Sequence, residues 1–379
     1  MKYVLHVVGC LEMGGTEAFI MNIYRNIDRT KIQFDFLVLN KKDYPYTKEI
    51  EKLGGEIYWG EPWRYRCKNE CVRNYVSIMK SKNYSVVHSH INIMNSWFML
   101  AAKKAGVPIR ISHSHDTYGM DGNFLYRLIH RFEAYLIKKN ANRYLACSKE
   151  AGEYLYGCNF FEAKGNVVRN GIDVEKFINV KRTKSDQRTF MNIPDDCRIV
   201  IGNITRFEPK KNQMFILDVF YEILKKEPTA ILLLGGVDAG QLSECVAKTK
   251  EMKIEKHVRF IGIRSDVADV LKAIDVYLFP SLYEGLGIVL LEAQASGCYC
   301  VASTACPTDS DIGLGLIDYI PLAKTAQEWT KIALKQYQES IVRYISDDDV
   351  RCAFAKKEYS IEQLAKKMTN IYTEEKSAN

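Results

Sequence analysis

Short apolar runs alternate with longer amphipathic segments along most of this chain. Runs near Val4–Val8, Phe34–Leu39, Val86–Ser89, Ile109–Ser112 and Arg143–Cys147 predict strands in the first half. Several are apolar without alternation, the pattern of strands covered on both faces. A second series follows at Ile199–Asn203, Ala230–Leu234, Val258–Ile261, Val276–Phe279 and Tyr299–Ala302. Strands separated by helix-length segments predict parallel sheets with crossover helices. Between the two series, the polar stretch Asn179–Asp196 ends in Pro194-Asp195-Asp196 and reads as a linker. The expected architecture is α/β, with two doubly wound domains in tandem over residues 1–178 and 196–355, and a cleft between them. Ile361, Leu364, Ala365, Met368 and Ile371-Tyr372 recur at helical spacing and predict a last helix. Sheets of this kind bind ligands beyond the carboxyl ends of their strands, so chemistry is sought in those loops.

A length of 379 residues is enough for two such domains, each with its own core. Eleven cysteines, an odd number without a C-x-x-C pair, read as reduced thiols in a cytoplasmic protein. No apolar run approaches the ~18 residues of a membrane span. The N-terminus reads as a first strand rather than a signal peptide. The net charge of +7 is unevenly spread: residues 1–178 hold 26 Lys/Arg against 18 Asp/Glu, and residues 179–379 hold 27 against 28. A basic half suits a nucleic acid, an anionic membrane surface or a phosphorylated substrate. No basic, aromatic-interleaved strand pair or recognition helix supports the first of these, so no nucleic-acid partner is expected.

Three motifs follow predicted strands. Gly14-Gly15-Thr16-Glu17 opens into an apolar helix, and free N–H groups at a helix start suit a diphosphate. A plain strand-to-helix turn explains the same residues. Arg206 and Lys211 follow the strand at Ile199–Asn203, where two cations can clamp a diphosphate. A solvated loop is the simpler reading of that pair alone. The third motif, Pro280-Ser281-Leu282-Tyr283-Glu284-Gly285-Leu286-Gly287 running on to Glu292, is the most specific. Seven residues separate the two carboxylates, about two helical turns if the helix starts early. Carboxylates there can accept hydrogen bonds from the vicinal hydroxyls of a ribose and a sugar.

That last stretch resembles the E-x7-E signature of retaining glycosyltransferases in the large family numbered 4, which have the GT-B architecture. The resemblance extends through Gly14–Glu17, Asn170-Gly171-Ile172-Asp173, Arg206 and Lys211, and Val258–Gly262 with Asp266-Val267. It implies two Rossmann-like domains and a C-terminal helix, residues 360–379, that crosses back onto the first. The C-terminal domain would hold an NDP-sugar donor, and the N-terminal one the acceptor. In that frame Gly14, Gly15, Arg206 and Lys211 hold the diphosphate. Glu284, with Gly285 and Leu286, meets the donor sugar, and Glu292 the ribose. The sequence departs from the family at Gln294 and at Cys298-Tyr299-Cys300, which bears on the choice of donor sugar.

Two histidine pairs, His88-Ser89-His90 and His113-Ser114-His115, close strands of the first half. On a strand an H-x-H pair puts both rings on one face, which raises metal binding. The resemblance instead implies one histidine near the donor sugar, matched to His115 rather than His113 because Asp116-Thr117 follows it. Asp309-Ser310-Asp311 resembles a metal-binding D-x-D but reads as a solvated loop. No metal and no cofactor are expected. Phe124–Lys139 predicts a basic amphipathic helix, with Leu125, Leu128, Ile129, Phe132 and Leu136 on one stripe beside Arg127, Arg131 and Lys138. Core packing of that stripe is the plainer expectation, and contact with an anionic membrane the alternative.

Together these features lead to one expectation: a retaining, metal-independent hexosyltransferase of cell-surface polysaccharide synthesis (capsule, exopolysaccharide or glycolipid). It would use an NDP-sugar, with UDP-sugar first among candidates, and a glycan or lipid-linked acceptor. It would be cytoplasmic, with peripheral contact at the inner face of the membrane as the alternative. The competing readings are a sugar-nucleotide epimerase or hydrolase of the same architecture, and a non-catalytic nucleotide-sugar-binding subunit.

Overall fold

The chain folds into two units, Met1–Gly171 with Ile361–Asn379, and Ile172–Ser360. A computed structural model describes residues 1–12, 14–60, 68–115, 124–342 and 344–374. The first unit is built on β1 (Lys2–Val8), β2 (Ile32–Val38), β3 (Ile57–Trp59), β4 (Val86–Ser89), β5 (Ile109–Ser114), β6 (Arg143–Ala146) and β7 (Gly165–Val167). They form one sheet in the order β3-β2-β1-β4-β5-β6-β7, with every pairing parallel. The second unit has β8 (Val200–Ile204), β9 (Ile231–Gly235), β10 (Val258–Gly262), β11 (Val276–Phe279), β12 (Tyr299–Ser303) and β13 (Ile317–Ile320). Their order is β10-β9-β8-β11-β12-β13, again all parallel. In each sheet the chain reverses direction of travel once, at β1/β4 and at β8/β11. Such switch points are where open α/β sheets bind ligands.

The ten strands expected from the apolar runs are all present. Three further strands, β3, β7 and β13, escape the apolar signal for one reason. Each lies at a sheet edge and is partly exposed, so no unbroken apolar run marks it. The polar stretch expected to be a linker differs more. It carries a helix, Lys184–Phe190, whose start is capped by the Thr183 hydroxyl accepting from the Asp186 N–H at 3.2 Å. Its cations serve the second sheet: Lys184 pairs with Asp275 at 2.5 Å, and Arg188 bonds the same carboxylate and the Ala273 carbonyl. The polarity there marks a charged packing contact, and the division falls earlier, between Gly171 and Ile172.

Apolar layers cover both faces of each sheet. The last helix, Ile361–Thr373, forms where the helical spacing predicts one, and it belongs to the first unit. Ile361, Leu364, Met368 and Tyr372 are buried in the same cluster as Phe19, Ile20 and Ile23 of the helix Gly15–Asn26. Burying side chains of this size contributes roughly 1.5–3 kcal/mol each. No helix among the described residues is long and apolar enough to cross a membrane.

Candidate functional site

Arg206, Lys211, Glu284 and Glu292 all belong to the second unit, at or near the carboxyl ends of β8 and β11. The loop after β11 is fastened to the loop after β8 by backbone and side chain. The Leu282 N–H donates to the Lys210 carbonyl at 2.8 Å and Asn212 Nδ2 donates to the Pro280 carbonyl at 3.2 Å, while from the end of β12 the Ser303 hydroxyl donates to the Ser281 carbonyl at 2.5 Å. On this frame Glu284 Oε1 receives two bonds, from Lys211 Nζ and from the buried Ser281 hydroxyl, each 2.5 Å long. The ion pair is nearly enclosed, with side chains 12% and 10% exposed. Glu284 Oε2 has no partner among the described residues, and Lys211 spends only one of its three N–H donors on the carboxylate. One carboxylate oxygen is thus anchored while its twin is free to accept from a hydroxyl.

Arg206 is 44% exposed, with its guanidinium 3.6 Å from Glu208. Its carbonyl accepts from Gln213 Nε2 at 2.7 Å, and Thr205 is held by Asn203 Oδ1 and Gln213, so the backbone is fixed while the guanidinium is free to move. The helix bearing Glu292 begins at Ile288. Glu284 therefore precedes the helix, and only the second half of the seven-residue spacing is helical. Gly287, at φ +75°, makes the turn into that helix in a conformation L side chains avoid. Leu286 is buried in the core and fixes the loop; Gly285 is partly buried beside it. Glu292 is partly buried among Leu290, Leu291 and Ala293, and its carboxylate makes no hydrogen bond or ion pair among the described residues. Burial raises its carboxyl to about 7, against a smaller lowering by Lys176. A half-buried carboxylate without a partner is suited to a ligand that brings hydroxyl donors.

In the first unit, His6 of β1, His88 and His90 of and after β4, and His113 and His115 of and after β5 form one cluster. Its ring contacts include His88 and His113 stacked 5.3 Å apart and His90 and His115 at 5.1 Å. Phe34 and Phe36 of β2 and Phe19 from the helix Gly15–Asn26 pack against it. The H-x-H spacing anticipated shared faces for each pair; it missed His6, which adjacent-strand register places beside His88. Two groups, His6/His88/His90 and His90/His113/His115, bring one ring nitrogen each within 4.8 Å and could hold a metal ion. His115 is partly buried, its backbone N–H donates to Asn92 Oδ1 at 3.2 Å, and burial lowers its imidazole to about 3. Asp116 and Thr117, which guided the choice of His115, lie outside the described residues.

Gly14 and Gly15 begin the helix Gly15–Asn26, but the helix end is not empty. The Glu17 carboxylate lies over Gly14, where an added Cβ would strike Glu17 Oε2. An acidic side chain in the first turn already complements the helix dipole, so a diphosphate there must displace it. The basic helix spans Phe124–Asn140, and its apolar stripe does not pack as expected. Leu128, Phe132 and Tyr135, spaced i, i+4, i+7, are 47%, 53% and 57% exposed beside Arg127, Arg131 and Lys139. The buried face instead carries Ala134, Ile137 and Glu133, whose carboxylate accepts from the buried Ser96 hydroxyl. Periodicity alone could not separate these faces, because the inward one is partly polar. Leu125 lies outside the described side chains.

Two family models match the chain: Glycosyltransferase Family 4 over residues 13–176, and Glycosyl transferases group 1 over residues 185–314. A putative glycosyltransferase, EpsF of Bacillus subtilis, is 33% identical over 87% of this chain and 86% of its own length. The capsular polysaccharide biosynthesis glycosyltransferase CapH of Staphylococcus aureus is 27% identical over 79% of this chain and 81% of its own. Among solved structures, Alr3699/HepE of Anabaena in complex with UDP aligns with a TM-score of 0.79 at 18% identity, covering 98% of this chain and 99% of that one.

Proposed function

The chain belongs to glycosyltransferase family 4 and has the GT-B fold, and from that premise we propose that it is a retaining, metal-independent enzyme. It moves a hexose from an NDP-sugar, UDP-sugar first, to a hydroxyl of a growing cell-surface polysaccharide. The capsular role of CapH supports the polysaccharide. The observation that carries the donor site is the half-free Glu284: one oxygen anchored by Lys211 and Ser281, the other open.

The leaving diphosphate carries the charge that grows in the transition state, and fixed donors aimed at it supply the largest stabilisation. Lys211 stands between Glu284 and that diphosphate as a shared cation, its two unspent N–H groups directed to phosphate oxygens. Arg206, unpaired by any short contact, swings onto the same group as a fork. Gly15 contributes its backbone N–H once Glu17 yields, and Gly14 does so only on leaving the Glu12 carbonyl, to which its N–H donates at 2.9 Å. Glu284 Oε2 and the Gly285–Leu286 loop receive the sugar hydroxyls, Glu292 the ribose, and His115 the sugar edge near the anomeric carbon. No side-chain nucleophile is assigned, so departure and attack occur on one face. With two cations already at the diphosphate, a divalent ion is redundant, and activity should survive excess EDTA. Loss restored by Mn²⁺ or Mg²⁺ would contradict this.

The acceptor is lipid-linked in this reading, and the enzyme works at the cytoplasmic face of a membrane. Three exposed apolar side chains set among Arg127, Arg131 and Lys139 fit an anionic bilayer: the rings and Leu128 enter the headgroup boundary and the cations meet phosphates. Incubation with UDP-glucose and related donors, with and without an undecaprenyl-diphosphate-linked acceptor, tests the whole reading. Acceptor-dependent glycoside of unchanged anomeric configuration is expected. Donor epimerised or hydrolysed alone would favour the epimerase or hydrolase.

A further inference from the structure

Five of the seven histidines of the chain lie in one largely buried cluster, and several of their ring nitrogens meet one another. His6 Nδ1 lies 3.0 Å from His90 Nε2, and His90 Nδ1 lies 2.8 Å from His115 Nε2. A second line runs from the Tyr372 hydroxyl to His88 Nδ1 at 2.9 Å and from His88 Nε2 to His113 Nδ1 at 3.1 Å. These are hydrogen-bond separations. Burial keeps every one of the five rings neutral, with His88, His90 and His113 well below the ordinary histidine value.

A neutral imidazole donates from one nitrogen and accepts at the other, so rings linked in line must all point their N–H groups the same way. The line His6–His90–His115 has two possible directions. Its inner end, His6 Nε2, is buried and has no partner. Its outer end, His115 Nδ1, has no partner among the described residues and belongs to a ring that is only partly buried. Pointing the N–H groups inward would strand a proton-bearing nitrogen at His6, between Phe34 and Phe36. Pointing them outward leaves only a bare lone pair there; orphaned buried donors are the rarer defect among backbone groups.

We infer that His6 and His90 are positioning residues that fix His115 as the tautomer with its proton on Nδ1, a neutral hydrogen-bond donor facing outward at the carboxyl end of β5. His90 donates to His115 Nε2, so that nitrogen cannot carry the proton, and His6 donates to His90 in turn. The inference rests, for its catalytic meaning only, on the reading that His115 meets the donor sugar: it makes the contact a donor to a sugar oxygen. The metal alternative would take the same nitrogens, but it needs the inter-ring bonds broken, and among the described residues neither group includes a carboxylate to offset a buried dication.

The test uses the full chain labelled with ¹⁵N-histidine, without donor and at neutral pH, and reads each tautomer from long-range ¹H–¹⁵N correlations, with His115→Gln to assign the ring. His115 should carry its proton on Nδ1. His90→Phe should shift it toward Nε2 or a mixture, and His90→Asn, whose amide N–H can stand in for Nδ1–H, should restore it. Kinetically His90→Phe should lower kcat about tenfold with little change in donor KM, and His90→Asn should recover most of that loss. His115 protonated on Nε2 in the unaltered chain, a tautomer indifferent to His90→Phe, or one tightly held zinc per chain would each overturn the inference. A correct tautomer combined with a fully active His115→Ala would instead overturn the placement of His115 at the donor sugar and leave the relay standing.

Discussion

At the carboxyl ends of its strands the first unit gathers imidazoles, whereas the second gathers partly buried carboxylates. The difference lies in how each group is kept from costing stability. Histidines can be buried neutral and can satisfy one another, so His6, His88, His90, His113 and His115 need no counter-ion. Carboxylates cannot do this. Glu284 is paired with Lys211, while Glu292, lacking such a partner, is pushed up to about 7. A stacked neutral cluster makes a rigid floor, and a poised carboxylate makes a binding group. The two units should therefore respond to pH in opposite directions.

The largest effect is acid lability of the first unit. Its histidines have folded values below the unfolded 6.5, so their contribution is intact above about pH 6.5 and is lost as pH falls. For His6 and His115, with folded values of about 3, the cost is about 1.4 kcal/mol each per pH unit below that point, or about 4 kcal/mol together by pH 5. Hydrogen exchange followed by mass spectrometry should show β1, β4 and β5 losing protection on acidification before β8 and β11. Equal loss in both sheets would remove the contrast.

Glu292 gives the opposite sign at a smaller size. Its folded value lies above the unfolded one, so stability is greatest in acid and is lost as pH rises from about 4.5 through about 7. Glu292→Gln should raise the melting temperature of donor-free protein at pH 8, by a free energy on the order of 1–3 kcal/mol. The same change should abolish a rise in UDP affinity between pH 6 and 8, because ribose hydroxyls bind the ionised form. A variant no more stable than the parent at pH 8 would show that Glu292 is already solvated.

A charge contrast separates the surfaces as well. Vesicles containing anionic lipid should bind the protein at low salt and release it as salt rises, since exposed charges are screened over about 8 Å at physiological ionic strength. Replacing Arg127, Arg131, Lys138 and Lys139 by Gln should weaken that binding several-fold and leave UDP affinity unchanged, because none of the four is assigned to the donor. Failure to sediment with vesicles at low salt would leave the exposed stripe without a membrane role.

Much of the fold could be read from apolar runs, because strands buried on both faces have few ways to be written. The edges β3, β7 and β13 could not, since half-exposed strands carry mixed residues. The site was readable to the level of single residues only where a motif fixes the loop, as at Glu284 and Lys211. What motif reading misses is what holds them: Ser281 under the carboxylate, Gln213 behind Arg206, and His6 and His90 behind His115. Ser281 and Gln213 lie three and seven positions from the residues they hold, while His6 and His90 reach across neighbouring strands, and no motif announces either kind of contact. The helix Phe124–Asn140 erred in the other direction, because Glu133 is buried through a bond to Ser96 that periodicity cannot foresee.

The donor site is tested most directly by steady-state kinetics of Arg206→Ala and Glu292→Ala with the true donor and acceptor. Glu292→Ala should raise donor KM by roughly 1–3 kcal/mol in binding terms, because ribose hydroxyls lose their acceptor. Arg206→Ala should lower kcat more than it raises KM, because leaving-group charge peaks in the transition state. Wild-type kinetics in both variants would contradict the assignment of this loop pair as the donor site.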